Sequence, residues 1–215
     1  MRPDEVAAWE DVREVARGIY RADAHGEVAL LHVTAVWRDE CAEYRTLNLT
    51  TETPTSEYDR FVLNLARARA DAILTTGKIL RTEPDLSHDF LGPPALRRAF
   101  GDWRRVILAK EHPPLSVVLT SGRTLDRHHP IFQSPARPLV FTSTDGRSRL
   151  ATWAASVPVE VVGVDQPSTG KALAHLQEER GARTVSLEAG PSTTLPLYEQ
   201  GSAPPIDELL LSVYL

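Results

Sequence analysis

Apolar positions along the chain alternate between helical stripes and short unbroken runs. Val6, Trp9, Ala16 and Ile19 recur at helical spacing behind Pro3, Asp4 and Glu5, which predicts a first helix with Pro3 in its opening turn. From Gly26 the rhythm changes, and Glu27 to Val36 (EVALLHVTAV) reads as β-rich. The polar stretch around Leu47 to Thr55 reads as a short strand and loop. Tyr58, Phe61, Val62, Leu65 and Ala68 then mark the clearest helix, with Ser56 and Asp59 predicting a capping box at its start. It feeds the apolar run Ala72 to Thr76, a buried strand that ends at Gly77, and GKILRTEPDL follows as a polar loop.

The same rhythm repeats downstream. A weak helix lies between the prolines at 93–94 and 113–114. Leu115 to Ser121, Pro138 to Thr144, Val159 to Val164 and Thr184 to Gly190 read as strands, and ELLLSVYL closes the chain. Asp145-Gly146 predicts a turn, and a helix from about Lys171 to Arg180 stops at Gly181. Continuous Val, Ile and Leu runs separated by helices indicate a three-layer α/β domain with a mostly parallel central sheet covered on both faces.

Composition sharpens this picture by exclusion. At 215 residues a folded chain hides roughly 70% of its unfolded surface, so a core forms without metals or disulfides. A net charge of −5 gives no basic footprint for nucleic acid. The single Cys41 can form no internal disulfide, which fits a reducing compartment. No window nears about 18 uninterrupted apolar residues, and the acidic start lacks a signal core. The expectation is a cytoplasmic protein that acts on a small molecule, with no nucleic-acid or membrane partner.

Most candidate motifs have a structural reading. PSTGKAL lacks the spacing and the Mg²⁺-binding hydroxyl of a phosphate loop, and reads as a helix start capped by Ser168 or Thr169. His128-His129 reads as surface loop, because no Cys or carboxylate completes a ligand set. Asn48-Leu49-Thr50 is a glycosylation sequon by pattern only. No G-x-G-x-x-G or G-x-S-x-G occurs. LEAGPSTTL (Leu187 to Leu195) differs. A buried strand ends in a carboxylate, Ala189-Gly190 permits close approach, and Pro191 opens a helix whose Ser192, Thr193 and Thr194 offer hydroxyls and N–H groups to an anion.

Three segments in order resemble the RibD C-terminal family, the riboflavin-biosynthesis reductases with a dihydrofolate-reductase-like fold. They are LARARADAILTTGKILRTEPDL (Leu65 to Leu86), PLSVVLTSGRTLDRHHPIF (Pro114 to Phe132), and the EAGP turn with IDELLLSVYL (Ile206 to Leu215). The resemblance implies residues 1–26 as a helical extension and 27–215 as a reductase domain. It implies an NADPH-dependent reductase acting on a ribosylamino-pyrimidine phosphate or a related pyrimidine or pterin-like compound. Cofactor contacts are implied at Gly77, Lys78, Thr82, Ser121, Arg123, Gly190, Pro191, Ser192, Thr193 and Thr194. Arg67, Leu86 and Glu188 are implied at the substrate, Glu188 as the catalytic group that orients or protonates it.

Departures from the family pattern keep a second reading open, a nucleotide-binding or scaffold homologue without catalysis. Lys78 and Thr82 stand where the family has Thr and Asp, and Asp89 replaces the Arg that holds a substrate phosphate. Only Trp37-Arg38-Asp39 substitutes for its S-x-D-G signature, and Pro196 should kink or end the helix after Pro191. The family continues past the position of Leu215. The expectation is therefore a sheet edge covered by the N-terminal helix or a homodimer partner. No P-C-x-x-C accompanies the one H-x-E, His25-Gly26-Glu27, so zinc-dependent deamination by this chain is excluded.

Overall fold

The computed structural model describes residues 1–215 except 25, 27, 47–55, 124, 135–136, 200–205 and 215. The apolar runs become one eight-stranded sheet: β1 (Leu30–Arg38), β2 (Tyr44–Thr46), β3 (Ala72–Thr76), β4 (Leu115–Leu119), β5 (Leu139–Ser143), β6 (Glu160–Val164), β7 (Val185–Leu187) and β8 (Glu208–Tyr214). Strands run in the order β8-β1-β7-β3-β4-β5-β6, all parallel, while β2 lies antiparallel against the end of β1. Residues 31–32 pair with both β7 and β8, and residues 36–37 with both β2 and β8. A strand has two edges, so β7 and β2 share one edge of β1. Between them, no strand pairs with residues 33–35 on that edge among the described residues.

The helices are α1 (Trp9–Tyr20), α2 (Glu57–Arg69), α3 (Gly77–Thr82), α4 (Pro94–Leu108), α5 (Thr144–Ala154), α6 (Thr169–Glu178) and α7 (Pro191–Thr194). Strand side chains alternate between faces. Leu139 and Phe141 accordingly pack with Leu173 and Leu176 of α6, while Val140 and Val118 pack with Leu150 of α5 on the other face. Ala66 of α2 meets Leu31 and Leu210 there. Phe61, Phe100 and Trp103 bind α2 to α4, and Val12, Val15 and Ala16 add α1 to the same cluster. Burying each such large side chain contributes roughly 1.5–3 kcal/mol. These contacts hold α2 firmly against the sheet.

Several local expectations are corrected. Pro3–Glu5 is a separate 3-10 turn, and α1 begins at Trp9, where the Asp11 carboxylate accepts from the N–H groups of Ala7 and Ala8. The predicted loop after Gly77 is α3, because the Thr76 hydroxyl caps it by accepting from the Ile79 N–H. The weak helix is the fifteen-residue α4. Asp145-Gly146 makes no turn, since Ser143 caps α5 by accepting from the Gly146 N–H at 2.9 Å. Ser56 caps α2, yet the Asp59 carboxylate reaches Ser212 and Tyr214, so the box is half formed. His129 is buried against Phe132 with its Nε2 3.1 Å from the Glu83 carbonyl, whereas His128 is exposed. α1 packs on α4 and not along β8, which has no outer strand among the described residues. Ser168 does cap α6. Leu47 to Thr55 and the sequon lie outside the described residues.

One close approach fixes the loop after β4. Gly122 has φ +82°, and a Cβ there would lie 2.3 Å from the Gly146 Cα. Gly122→Ala is expected to cost at least about 2 kcal/mol in urea unfolding, because a side chain fits neither the backbone conformation nor the space. A change within 0.5 kcal/mol would show that this loop rearranges freely.

Candidate functional site

A cleft of about 980 Å³ opens at the carboxyl ends of β3, β4 and β7, beside the unpaired interval of β1. Parallel α/β sheets bind ligands at such ends. Its floor is an ion pair. Arg67, on the last turn of α2, donates from Nε to Glu188 Oε1 at 3.0 Å and from Nη2 to Oε2 at 2.7 Å. Its Nη1 donates to the Asp89 carbonyl at 2.7 Å. Arg67 is 1% exposed and Glu188 11%, so the guanidinium directs donors to partners inside the protein and the carboxylate is the more open of the two toward the cleft they both line. Burial raises the Glu188 pKa, but Arg67 beside it, by charge and by hydrogen bonds, brings the carboxyl below its ordinary value overall. Glu188 is thus ionised near neutrality and accepts hydrogen bonds there.

The pair is held from several sides. Arg104 donates to the Ala68 and Ala70 carbonyls at the end of α2, at 2.7 and 2.6 Å. Asp71, ion-paired to Lys110, accepts from the N–H groups of Arg183 and Thr184 just before β7. Beneath the pair, the His88 Nδ1 lies 2.9 Å from the Ser116 hydroxyl, and burial pushes this imidazole down to about 4. A neutral His88 adds no charge to compete for Glu188.

The cleft brings most of the sequence-marked residues together: Arg67, Lys78, Thr82, Leu86, Ser121, Glu188, Gly190, Pro191, Ser192 and Thr193. Three do not line it. Gly77 is buried where α3 meets β4, and a Cβ there would stand 2.9 Å from the Thr120 hydroxyl. Its smallness lets the start of α3 pack against Thr120 and Leu125. Thr194 is buried, and Arg123 is exposed away from the cleft. The Thr82 hydroxyl donates to the Ile79 carbonyl at 3.1 Å and is occupied within α3.

The turn after β7 is a poorer anion cradle than its sequence suggests. α7 is a single turn that runs into a 3-10 turn, Leu195–Tyr198, as Pro196 requires. The N–H groups of Thr193 and Thr194 both donate to the Gly190 carbonyl, and Pro191 has none. What remains is the Ser192 N–H and the Ser192 and Thr193 hydroxyls, on a bare Gly190 with nothing within 4 Å of a built Cβ.

The motif reading missed the other walls: Val33, Thr34 and Ala35 of β1, Asp59 and Leu63 of α2, and Arg81 of α3. Asp59, Leu63 and Arg67 follow one another at i, i+4 and i+8, a single helix face that could have been read as pointing to one site. No carboxylate pairs with Lys78 or Arg81 among the described residues, so both charges are open to a ligand. No metal-ligating cluster and no helix long and apolar enough to cross a membrane occur among the described residues.

A mostly parallel sheet with helices on both faces and a cleft at its carboxyl ends places the chain in the three-layer α/β class. The model of the RibD C-terminal domain matches residues 44–214, and the chain belongs to that family. Two crystal forms of Acinetobacter baumannii RibD are similar at 19% identity, with TM-scores of 0.59 and 0.61 over 93% of this chain. The chain spans 49% of those RibD chains. A pyrimidine reductase-like protein from Corynebacterium diphtheriae is similar at 18% identity and TM-score 0.63, over 94% of this chain and 81% of that one. No curated protein sequence matches.

Proposed function

We propose that the protein is an NADPH-dependent reductase of a pyrimidine or pterin-like compound. Family membership supports a reductase-like function, and the observation that carries the reading is the buried Arg67–Glu188 pair flooring a cleft with open cations on one wall. The fit to a dinucleotide is good. The volume lies within the ordinary range for ligand sites, Gly190 leaves room for a phosphate, and Lys78 and Arg81, against the single Glu83, supply a net positive charge. When bound, the nicotinamide supplies the hydride, and the protein supplies position and electrostatics.

In this reading Glu188 is the catalytic group by orientation. An ionised carboxylate, fixed in two hydrogen bonds by Arg67, aligns a substrate N–H or O–H and does not deliver a proton. Lys78 stands where the family has Thr and contacts the phosphates by charge. Leu86 packs against the ring. Thr194, Gly77 and Arg123 hold no ligand; the first two shape the walls.

Gly190→Asp is expected to weaken NADPH binding by more than 100-fold, since an anion would then face the phosphates. Gly190→Ala should bind within threefold of the original, because a Cβ meets nothing there. No tryptophan lines the cleft, so NADPH emission or calorimetry is the suitable readout. Saturable binding that prefers NADPH over NADH supports the reading. Absence of binding by either would remove it and favour the scaffold homologue.

A further inference from the structure

The geometry points to Asp59 as the residue that selects the substrate, and to a nitrogen-rich ring bearing N–H donors, with no phosphate at this end, as the group it selects. The inference rests on the reductase reading for the place of the substrate, but its chemistry is carried by the cleft itself. Asp59 lies on the same α2 face as Arg67, eight residues earlier, so roughly 12 Å of helix separates it from the cleft floor. It lines the cleft on the β1 and β8 side, where the Ser212 hydroxyl donates to its Oδ1 and the Tyr214 hydroxyl to its Oδ2 at 3.3 Å.

Those two bonds leave the carboxylate with about two of its four lone-pair sites. No cation pairs with it among the described residues. Lys78 and Arg81 stand at the end of β3. β7 and β1 separate that strand from β8, which is three strand spacings or roughly 14 Å across. With Glu83 beside Lys78 and Arg81 in the lining, the β3 wall keeps a net positive charge, while the β8 wall, at Asp59, is anionic.

An anionic group fits the first wall and is repelled by the second. A ligand that satisfies both extends its phosphates toward Lys78 and Arg81, and places a neutral or protonated donor ring against Asp59. The exposed Asp89, which lies outside the cleft, supplies no positive charge to hold a substrate phosphate. Asp59 thus discriminates by attraction for donors and by repulsion of phosphate together.

Asp59→Asn is a clean probe. The helix cap uses the Asp59 backbone N–H, so it survives the substitution, and the amide keeps one acceptor for Ser212 or Tyr214. Glu57→Gln, an exposed neighbour in the same turn, controls for net charge. Binding of 5,6-diaminouracil, of 1,3-dimethyluracil (a similar ring without N–H groups) and of ribose 5-phosphate is measured on the full chain by ligand-observed NMR, with NADPH binding recorded in parallel.

The diamino ring should bind the original protein at least tenfold more tightly than the dimethyl ring. Asp59→Asn should lose roughly tenfold for the diamino ring, as expected for a hydrogen bond to a charged acceptor, and should gain affinity for ribose 5-phosphate. Glu57→Gln should change neither. Equal binding of the two rings, or diaminouracil affinity unchanged in Asp59→Asn, overturns the proposal. If the Asp59-dependent preference holds while NADPH fails to bind, the specificity assignment stands and the reductase reading falls.

Discussion

Arg67→Leu is expected to lower the unfolding free energy by about 3–5 kcal/mol and to abolish ligand binding in the cleft. The substitution strands the Glu188 carboxylate, only 11% exposed, without its partner, and removes the donor to the Asp89 carbonyl. A buried charge left unpaired costs far more than the net worth of the pair. In a chain of this length the loss corresponds to a fall in melting temperature of about 10 °C. Glu188→Leu should be of similar size, because it leaves a guanidinium that is 1% exposed.

The double replacement discriminates the cause. With both charges gone and apolar volume in their place, the Arg67→Leu, Glu188→Leu protein should be more stable than either single variant, while its ligand binding stays absent. Additive losses in the double variant would show that the pair contributes through packing and not through charge. Such a protein would also separate folding from function, which makes it the useful inactive control.

The second large effect is a loss of stability on mild acidification. Burial pushes His32 and His88 down to about 4, so both are neutral in the folded chain, whereas an unfolded histidine titrates near 6.5. Between those values the unfolded state binds more protons, and stability falls as pH falls. From pH 7 to pH 5 each imidazole withdraws about 2 kcal/mol, roughly 4 together, measurable by urea unfolding. Glu188 has the opposite placement. Its pKa is depressed below the unfolded value, so its contribution is complete above about pH 4.3 and is lost only below that. The His32→Gln, His88→Gln protein should have a flatter profile between pH 7 and 5. An unaltered slope in that variant would place the acid sensitivity elsewhere.

The buried parallel strands were legible because they are continuous Val, Ile and Leu runs, as in Ala72 to Thr76 and Leu139 to Ser143, whereas the short, exposed, antiparallel β2 was not. The helices were less so. Lys78 to Thr82 is polar enough to read as loop, and only the Thr76 hydroxyl, aimed at the Ile79 N–H, makes it a helix. Asp145-Gly146 carries turn chemistry but lies under the Ser143 cap, with Gly146 required by the approach of Gly122. The EAGP turn was recognisable as a strand–helix junction, and it lines the cleft. Its hydrogen bonding was not, because nothing local reveals that the Thr193 and Thr194 N–H groups fold back onto Gly190.

The residue sequence by itself determined the class of fold, the buried parallel strands and the family, since these depend on local apolar periodicity and on motifs a few residues long. The tertiary structure alone decided which charges meet. Arg67 and Arg69 are two residues apart on one helix, and nothing nearby in sequence tells them apart. Folding turns the first onto Glu188 at the cleft floor and the second onto Glu208 of β8, through bidentate bonds of 2.8 Å. Asp59 likewise carries a capping signature in sequence, and becomes a wall of the site because β8 returns beside β1 from the far end of the chain. Electrostatic partners separated by more than a hundred residues are set by strand order, and strand order is a property of the packed sheet.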